Sequence, residues 1–284
     1  MWREERGYPI GEQRSRAVSR PLGSRLAMPW AEETLANYLI ETVREVVRRE
    51  VLDERKSRGK LFARPRIFND LLSSQPMAFN LFGELQQDLA LASSVFRGLT
   101  GGRISAVTAV EFEYSPGRRD HQYTGDSSAF DVFVTYLTSD SNLGFAGIEV
   151  KYHENLLGKA ARHRTRYDEV AATMGCFRNE RLALLREQPL QQIWRDHLLA
   201  GSLVAAKKFA DGFFVFIYPQ HNDFRHQAVG QYVECLSDTS TFTPWTLEDV
   251  CESIVQNTPK EWISDFLDRY LNFEKLARLL EAEG

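Results

Sequence analysis

The sequence predicts an α/β fold: a mixed central sheet of about four to five strands flanked by helices, with extra N- and C-terminal helices. Three observations predict it. Apolar residues first recur at helical spacing; the period then drops to two over three consecutive segments; helical spacing returns before one more short, wholly apolar run. The order is therefore helix, three strands, helices, strand.

Residues 1–28 carry six Arg, breaks at Gly7, Pro9 and Pro21, and no apolar periodicity, so they read as a mobile basic arm. Six Arg less Glu4, Glu5 and Glu12 leave it at +3, and Met28 is a second candidate start. Residues 29–284 read as a single domain with its core over about 76–219. Leu35, Tyr38, Leu39, Val43, Val46 and Val47 predict an amphipathic helix over 31–56, and Phe79, Phe82, Leu85, Leu89 and Val95 predict a second over 76–96.

Residues 104–114 alternate like a strand, 130–137 are rich in Val, Phe and Tyr, and 147–152 run from apolar to polar. The Gly/Asp/Ser-rich segment 115–128 is a loop, and 138–144 reads as a turn, so the second and third strands are expected to pair as a hairpin. Helices are expected over 155–174 and 189–210, followed by a strand over 213–218 that Pro219 ends. The remainder predicts one strand near Tyr232 and two or three helices, the last carrying Phe266, Tyr270, Phe273, Leu276 and Leu280.

With 43% hydrophobic and 26% charged residues the chain is neither fibrous nor wholly disordered. A net charge of −4 means that any basic surface is local, although 27 of the 35 basic residues are Arg, whose planar fork suits phosphate oxygens. Three widely spaced cysteines, Cys176, Cys235 and Cys251, indicate neither a disulfide framework nor a zinc site, and the six histidines show no His-x3-His spacing. No run of 18 apolar residues and no apolar leader is visible, so a cytoplasmic chain without a membrane partner is expected; its oligomeric state is not legible.

The chemically informative segment is Ser128-Ala-Phe-Asp131-Val-Phe-Val, followed by Glu149-Val-Lys151. On a strand, Glu149 and Lys151 share a face and Val150 takes the other, so a carboxylate and an ammonium are presented together beside Asp131. Hydrolysis of a phosphodiester uses such a trio. Two hard carboxylates hold Mg²⁺ or Mn²⁺, with the Val150 carbonyl as a candidate further ligand, and the lysine orients or activates water. The triplet alone has little weight: 39 acids and 8 lysines in 284 residues supply roughly one acid-x-Lys by chance, and Glu54-Arg55-Lys56 repeats the spacing in a charged helical stretch. The blander reading of the trio is a salt bridge between paired strands.

The order of elements and the trio resemble the PD-(D/E)xK nuclease superfamily, with its restriction-endonuclease-like core. Leu71-Leu-Ser-Ser-Gln-Pro-Met-Ala-Phe-Asn-Leu-Phe-Gly83 and Gln192-Ile-Trp-Arg-Asp-His197 look like two signature elements of a bacterial family within it, and together the likeness covers most of 70–220. The resemblance implies a divalent-metal-dependent nuclease acting on nucleic acid, DNA before RNA, with Asp131 as first acid, Glu149 as second and Lys151 as the lysine. It also implies an acid from the first core helix, for which Glu84 is the candidate and Asp88 the rival. Phe130 stands where the name-giving proline would be. The competing reading is a catalytically silent nucleic-acid-binding or scaffolding member.

Several residues carry two readings. Asp120 and Asp126 are turn formers or border the site; Glu111 and Glu113 face solvent or approach the metal. Lys159, Arg162, His163, Arg164 and Arg166 form a phosphate-binding stripe or a solvated helix face, and His153 lies within reach of the same site. Gln192 and Arg195 contact substrate phosphate or serve structure with Trp194 and His197.

Overall fold

A computed structural model describes all residues except 15–18, 155, 159, 260, 276 and 279–284. Its centre is a five-stranded mixed sheet of order β3-β4-β5-β6-β7: β3 Ala106–Tyr114, β4 Phe130–Leu137, β5 Leu143–Val150, β6 Asp211–Tyr218 and β7 Phe242–Thr246. The first three strands are an antiparallel meander, and β6 and β7 add in parallel to β5. The α/β class, the strand order and the hairpin between the second and third strands agree with the sequence reading. The strand expected near Tyr232 is instead part of a helix, and the fifth strand forms ten residues later, where Phe242 and Trp245 are buried.

Short helices lead in: α1 Trp2–Glu5, α2 Trp30–Thr34, α3 Glu41–Val47, α4 Glu54–Ser57 and α5 Arg66–Asn69, with a π-helical turn over Arg48–Leu52. They replace the single helix expected over 31–56. Leu35 adopts a left-handed φ of 51° that ends α2, yet it stays buried, so the apolar spacing continues across a broken backbone. The next expected helix is also two, α6 Ser74–Gln87 and α7 Leu89–Leu99, because Asp88 leaves helical geometry and its side chain accepts the Leu91 N–H as an N-cap. After the meander come α8 Thr165–Met174, α9 Leu182–Leu185, α10 Gln191–Ala205, α11 Asp223–Glu234, α12 Leu247–Asn257 and α13 Trp262–Tyr270. Leu276 and Leu280 lie outside the described residues.

Where a mobile arm is expected, the described residues of 1–28 form α1 and an antiparallel ribbon, β1 Ile10–Arg14 with β2 Ser19–Leu26, that dock on the body. Leu26, Ala31, Ala36 and Leu71 form a small core against which Trp2, Tyr8 and Trp30 pack, and Arg25 pairs with the buried Asp70 at 3.0 Å. Single aromatics outside the strands, Trp2 on α1, Tyr8 before β1 and Trp30 on α2, bury area without producing a sequence period.

The two faces of the sheet bury different layers. Val132, Val134, Ile148, Val150, Val215 and Ile217 point to one face, where α6, α7, α12 and α13 pack. Phe133, Phe145, Phe214, Phe216 and Tyr218 point to the other, under α8, α10 and α11. By the strand period Asp131, Glu149 and Lys151 belong to this second face. Gly147 of β5 lies beneath the Phe130 ring; a Cβ there would come within 2.5 Å of it. Among the described residues no helix is long and apolar enough to cross a membrane.

Candidate active site

Strand register brings the acids together. Val132 opposes Ile148, so one step further Asp131 falls opposite Glu149. On the other side, Phe112 opposes Val132 and Tyr114 opposes Phe130, which places Glu113 opposite Asp131. Three carboxylates thus stand in a row across three adjacent strands, although like charges directly opposite one another destabilise a sheet. Glu113 also takes a left-handed φ of 50°, costly for a non-glycine residue.

These acids line a cavity of about 230 Å³ together with Leu61, Arg118, residues 127–129, and Gln192, Arg195 and Asp196 of α10. Each carboxylate of the expected pair is oriented through one oxygen. The Val150 N–H donates to Asp131 Oδ2 at 2.9 Å, while Lys151 Nζ at 2.5 Å and Gln192 Nε2 at 2.8 Å donate to Glu149 Oε1. The second oxygen of each has no hydrogen-bond partner among the described residues. Glu149 is only 5% exposed, and the lysine, which does not itself line the cavity, reaches it from beyond the strand end. Larger clefts, about 330 Å³ beside Trp2 and Arg269 and about 810 Å³ beside the N-terminal ribbon, gather no such opposed acids.

Burial, and then the facing Glu149, push the Asp131 carboxyl well above its usual range, against Lys151 and the Val150 N–H. Burial works against the charge of Lys151, but Glu149 and Asp131 outweigh it and hold the ammonium above its ordinary value. Burial likewise raises Glu113, despite Arg118, whose Nη2 lies 2.6 Å from Glu113 Oε1. Asp196, 5% exposed, is raised by burial first and by Glu149 next, and its Oδ2 has no hydrogen-bond partner.

A sequence profile of the PD-(D/E)XK nuclease superfamily matches residues 1–272. The chain belongs to that superfamily. No curated protein and no solved structure matches it. Superfamily members are typically nucleases that use divalent metal, and the residues here fit a hard cation: two carboxylates each keep an oxygen free, and Mg²⁺ needs one or two carboxylates besides water. Among the described residues no group of three or more His, Cys, Asp or Glu is placed to hold an ion directly.

Other expected site residues fall differently. Glu84 is buried on α6, which packs on the face opposite Asp131 and Glu149, and it does not line the cavity. Helical spacing cannot tell which face of a sheet a helix will cover. Its rival Asp88 caps α7. The expected helix over 155–174 begins only at Thr165, so Arg162, His163 and Arg164 precede it and no basic helical stripe forms among the described residues; Lys159 lies outside them. Arg166 is on the helix, but its guanidinium donates to the Tyr123 and Gln122 carbonyls and to Glu169, tying down the loop before β4. Arg195 lines the cavity with its guanidinium committed to Asp126 Oδ2 at 2.8 Å and Ser128 Oγ at 2.9 Å. Gln192 is at the cavity through Glu149. His153 meets the Leu72 carbonyl at 2.5 Å. His197, fully buried between Tyr232 and Thr241, is a neutral core residue, pushed down to about 3 by burial.

Of the two readings that the sequence leaves for Glu113, the structure places it at the cavity, and Asp196 joins it without a sequence expectation. Glu113 needs the β3/β4 register, which a bulge near Val107 offsets. Asp196 had a legible signal: it lies four residues after Gln192, one turn along the same helix face.

Proposed function

We propose that the protein is a divalent-metal-dependent nuclease that hydrolyses phosphodiester bonds of DNA in the cytoplasm, with Asp131, Glu149 and Lys151 at its centre. The observation that carries this reading is the cross-strand opposition of Asp131 and Glu149 in an open cavity, each with one oxygen fixed and one free. Asp131 and Glu149 would hold Mg²⁺ or Mn²⁺, with the Val150 carbonyl as a further candidate ligand. When bound, the cation supplies positive charge to the scissile phosphate and lowers the pKa of water. Two carboxylates face Lys151 and favour its charged form, which suits orienting water and stabilising negative charge. Gln192 fixes the Glu149 rotamer from α10. Three buried cysteines, all unpaired, suit a reducing compartment.

The test is incubation of plasmid and single-stranded DNA with the protein and Mg²⁺ or Mn²⁺, beside Asp131→Ala and Lys151→Ala. Cleavage by the wild type and loss in both variants is expected. Cleavage that survives in both variants sinks the site assignment, and a wild type that binds DNA without cutting it turns the reading to the silent member.

A further inference from the structure

Four carboxylates line the cavity, and their hydrogen bonds differ. Both oxygens of Glu113 are taken, Oε1 by Arg118 at 2.6 Å and Oε2 by Gln75 at 3.2 Å. Asp131 and Glu149 each have one oxygen fixed by the protein. Asp196 is 95% buried by its 5% exposure, lines the same cavity, and carries a buried Oδ2 that meets no donor. Its neighbour Arg195 does not serve it, since that guanidinium bonds Asp126 and Ser128. A buried carboxylate without a partner is costly, and a proton or a cation removes the cost; the place of Asp196 on the wall shared with Asp131 and Glu149 favours the cation. Asp196 also stands one helical turn after Gln192, whose amide touches Glu149, so α10 presents both to the acid pair.

Resting on the reading of this cavity as a cation site, we propose that Asp196 is its third carboxylate, supplied by α10, and that it holds the hydrated cation together with Asp131 and Glu149. Direct coordination by three such side chains has no support among the described residues, and contact through the hydration shell suits a cation that sheds water reluctantly. The acid expected from the first core helix is thus replaced by one from the other face of the sheet.

Calorimetric titration with Mn²⁺ of the wild type, Asp196→Asn, Asp131→Asn and Glu84→Gln, beside thermal unfolding without metal, tests this. Asp196→Asn should weaken Mn²⁺ binding roughly 10–100-fold, with a metal-free unfolding midpoint equal to or above that of the wild type, and Glu84→Gln should bind as the wild type does. A structural role for Asp196 would instead lower the metal-free midpoint, and that result overturns the proposal. Wild-type affinity in Asp196→Asn, with binding lost in Asp131→Asn, also overturns it while leaving the acid pair intact. A wild type that takes no Mn²⁺ overturns both readings. Should Asp196→Asn not fold, Asp196→Ser is read by the same two measurements.

Discussion

Two acidic clusters face neighbouring residues of one helix and are built on opposite terms. Beside Arg195, Asp126 accepts hydrogen bonds from Thr124, the Ser128 N–H and hydroxyl, Tyr167 and the guanidinium itself. Although burial opposes it, Arg195 and these donors hold the Asp126 carboxyl well below the usual carboxylate range. Beside Asp196, the acids Asp131 and Asp196 are pushed up instead, by burial and by Glu149, with fewer donors than oxygens. One cluster is complete within the protein and fastens the loop before β4; the other is left short of positive charge. The lesson is that buried acidity marks a binding site only where the protein has not already satisfied it.

Substitutions should separate the two clusters. The largest effect is expected at Asp131: Asp131→Asn should lower DNA cleavage by on the order of 10³-fold without lowering the metal-free unfolding midpoint, and a loss of stability instead would put Asp131 with Asp126. Next, Arg195→Ala strands a buried carboxylate and should cost about 3 kcal/mol in urea unfolding; a loss below about 1 kcal/mol would break the contrast. Saturating Mn²⁺, at about 100 times its Kd, should stabilise the wild type by about 2.7 kcal/mol and leave Asp131→Asn unmoved, as read by denaturant titration.

The acid range gives a smaller signal of definite sign. The folded pKa of Asp126 is depressed, so its contribution is present above the unfolded value of about 3.8 and is lost as pH falls below it toward the folded value. Wild-type stability should therefore fall between about pH 4 and pH 2 more steeply than that of Asp126→Asn, with a slope difference of up to about 1.4 kcal/mol per pH unit. Equal slopes would mean that the five donors do not act on its charge. The smallest change is expected from Glu84→Gln, whose cleavage rate should stay within about twofold of the wild type because α6 packs on the other face.

What was legible in the sequence follows from range. Asp131, Glu149 and Lys151 could be read together because one hairpin joins them, and strand alternation fixes the side each faces once the pairing is known. The meander and the following strand showed in their periods. Glu84 lies away from the cavity because the face on which a helix packs is a tertiary decision. The helices expected over 31–56 and 76–96 break into shorter ones because buried Leu35 and the cap at Asp88 interrupt the backbone without interrupting the apolar pattern. The basic stripe dissolved for the same kind of reason: charge spacing does not reveal that Arg166 will spend its donors on loop carbonyls.

The Phe130 ring over Gly147 bears on how this protein can change through mutation. Position 147 has no charge and does not line the cavity, yet any side chain there must displace the ring of the residue that precedes Asp131. Drift at this glycine would reach the chemistry through the backbone of β4, so the set of positions that constrains the site is wider than the set that lines it.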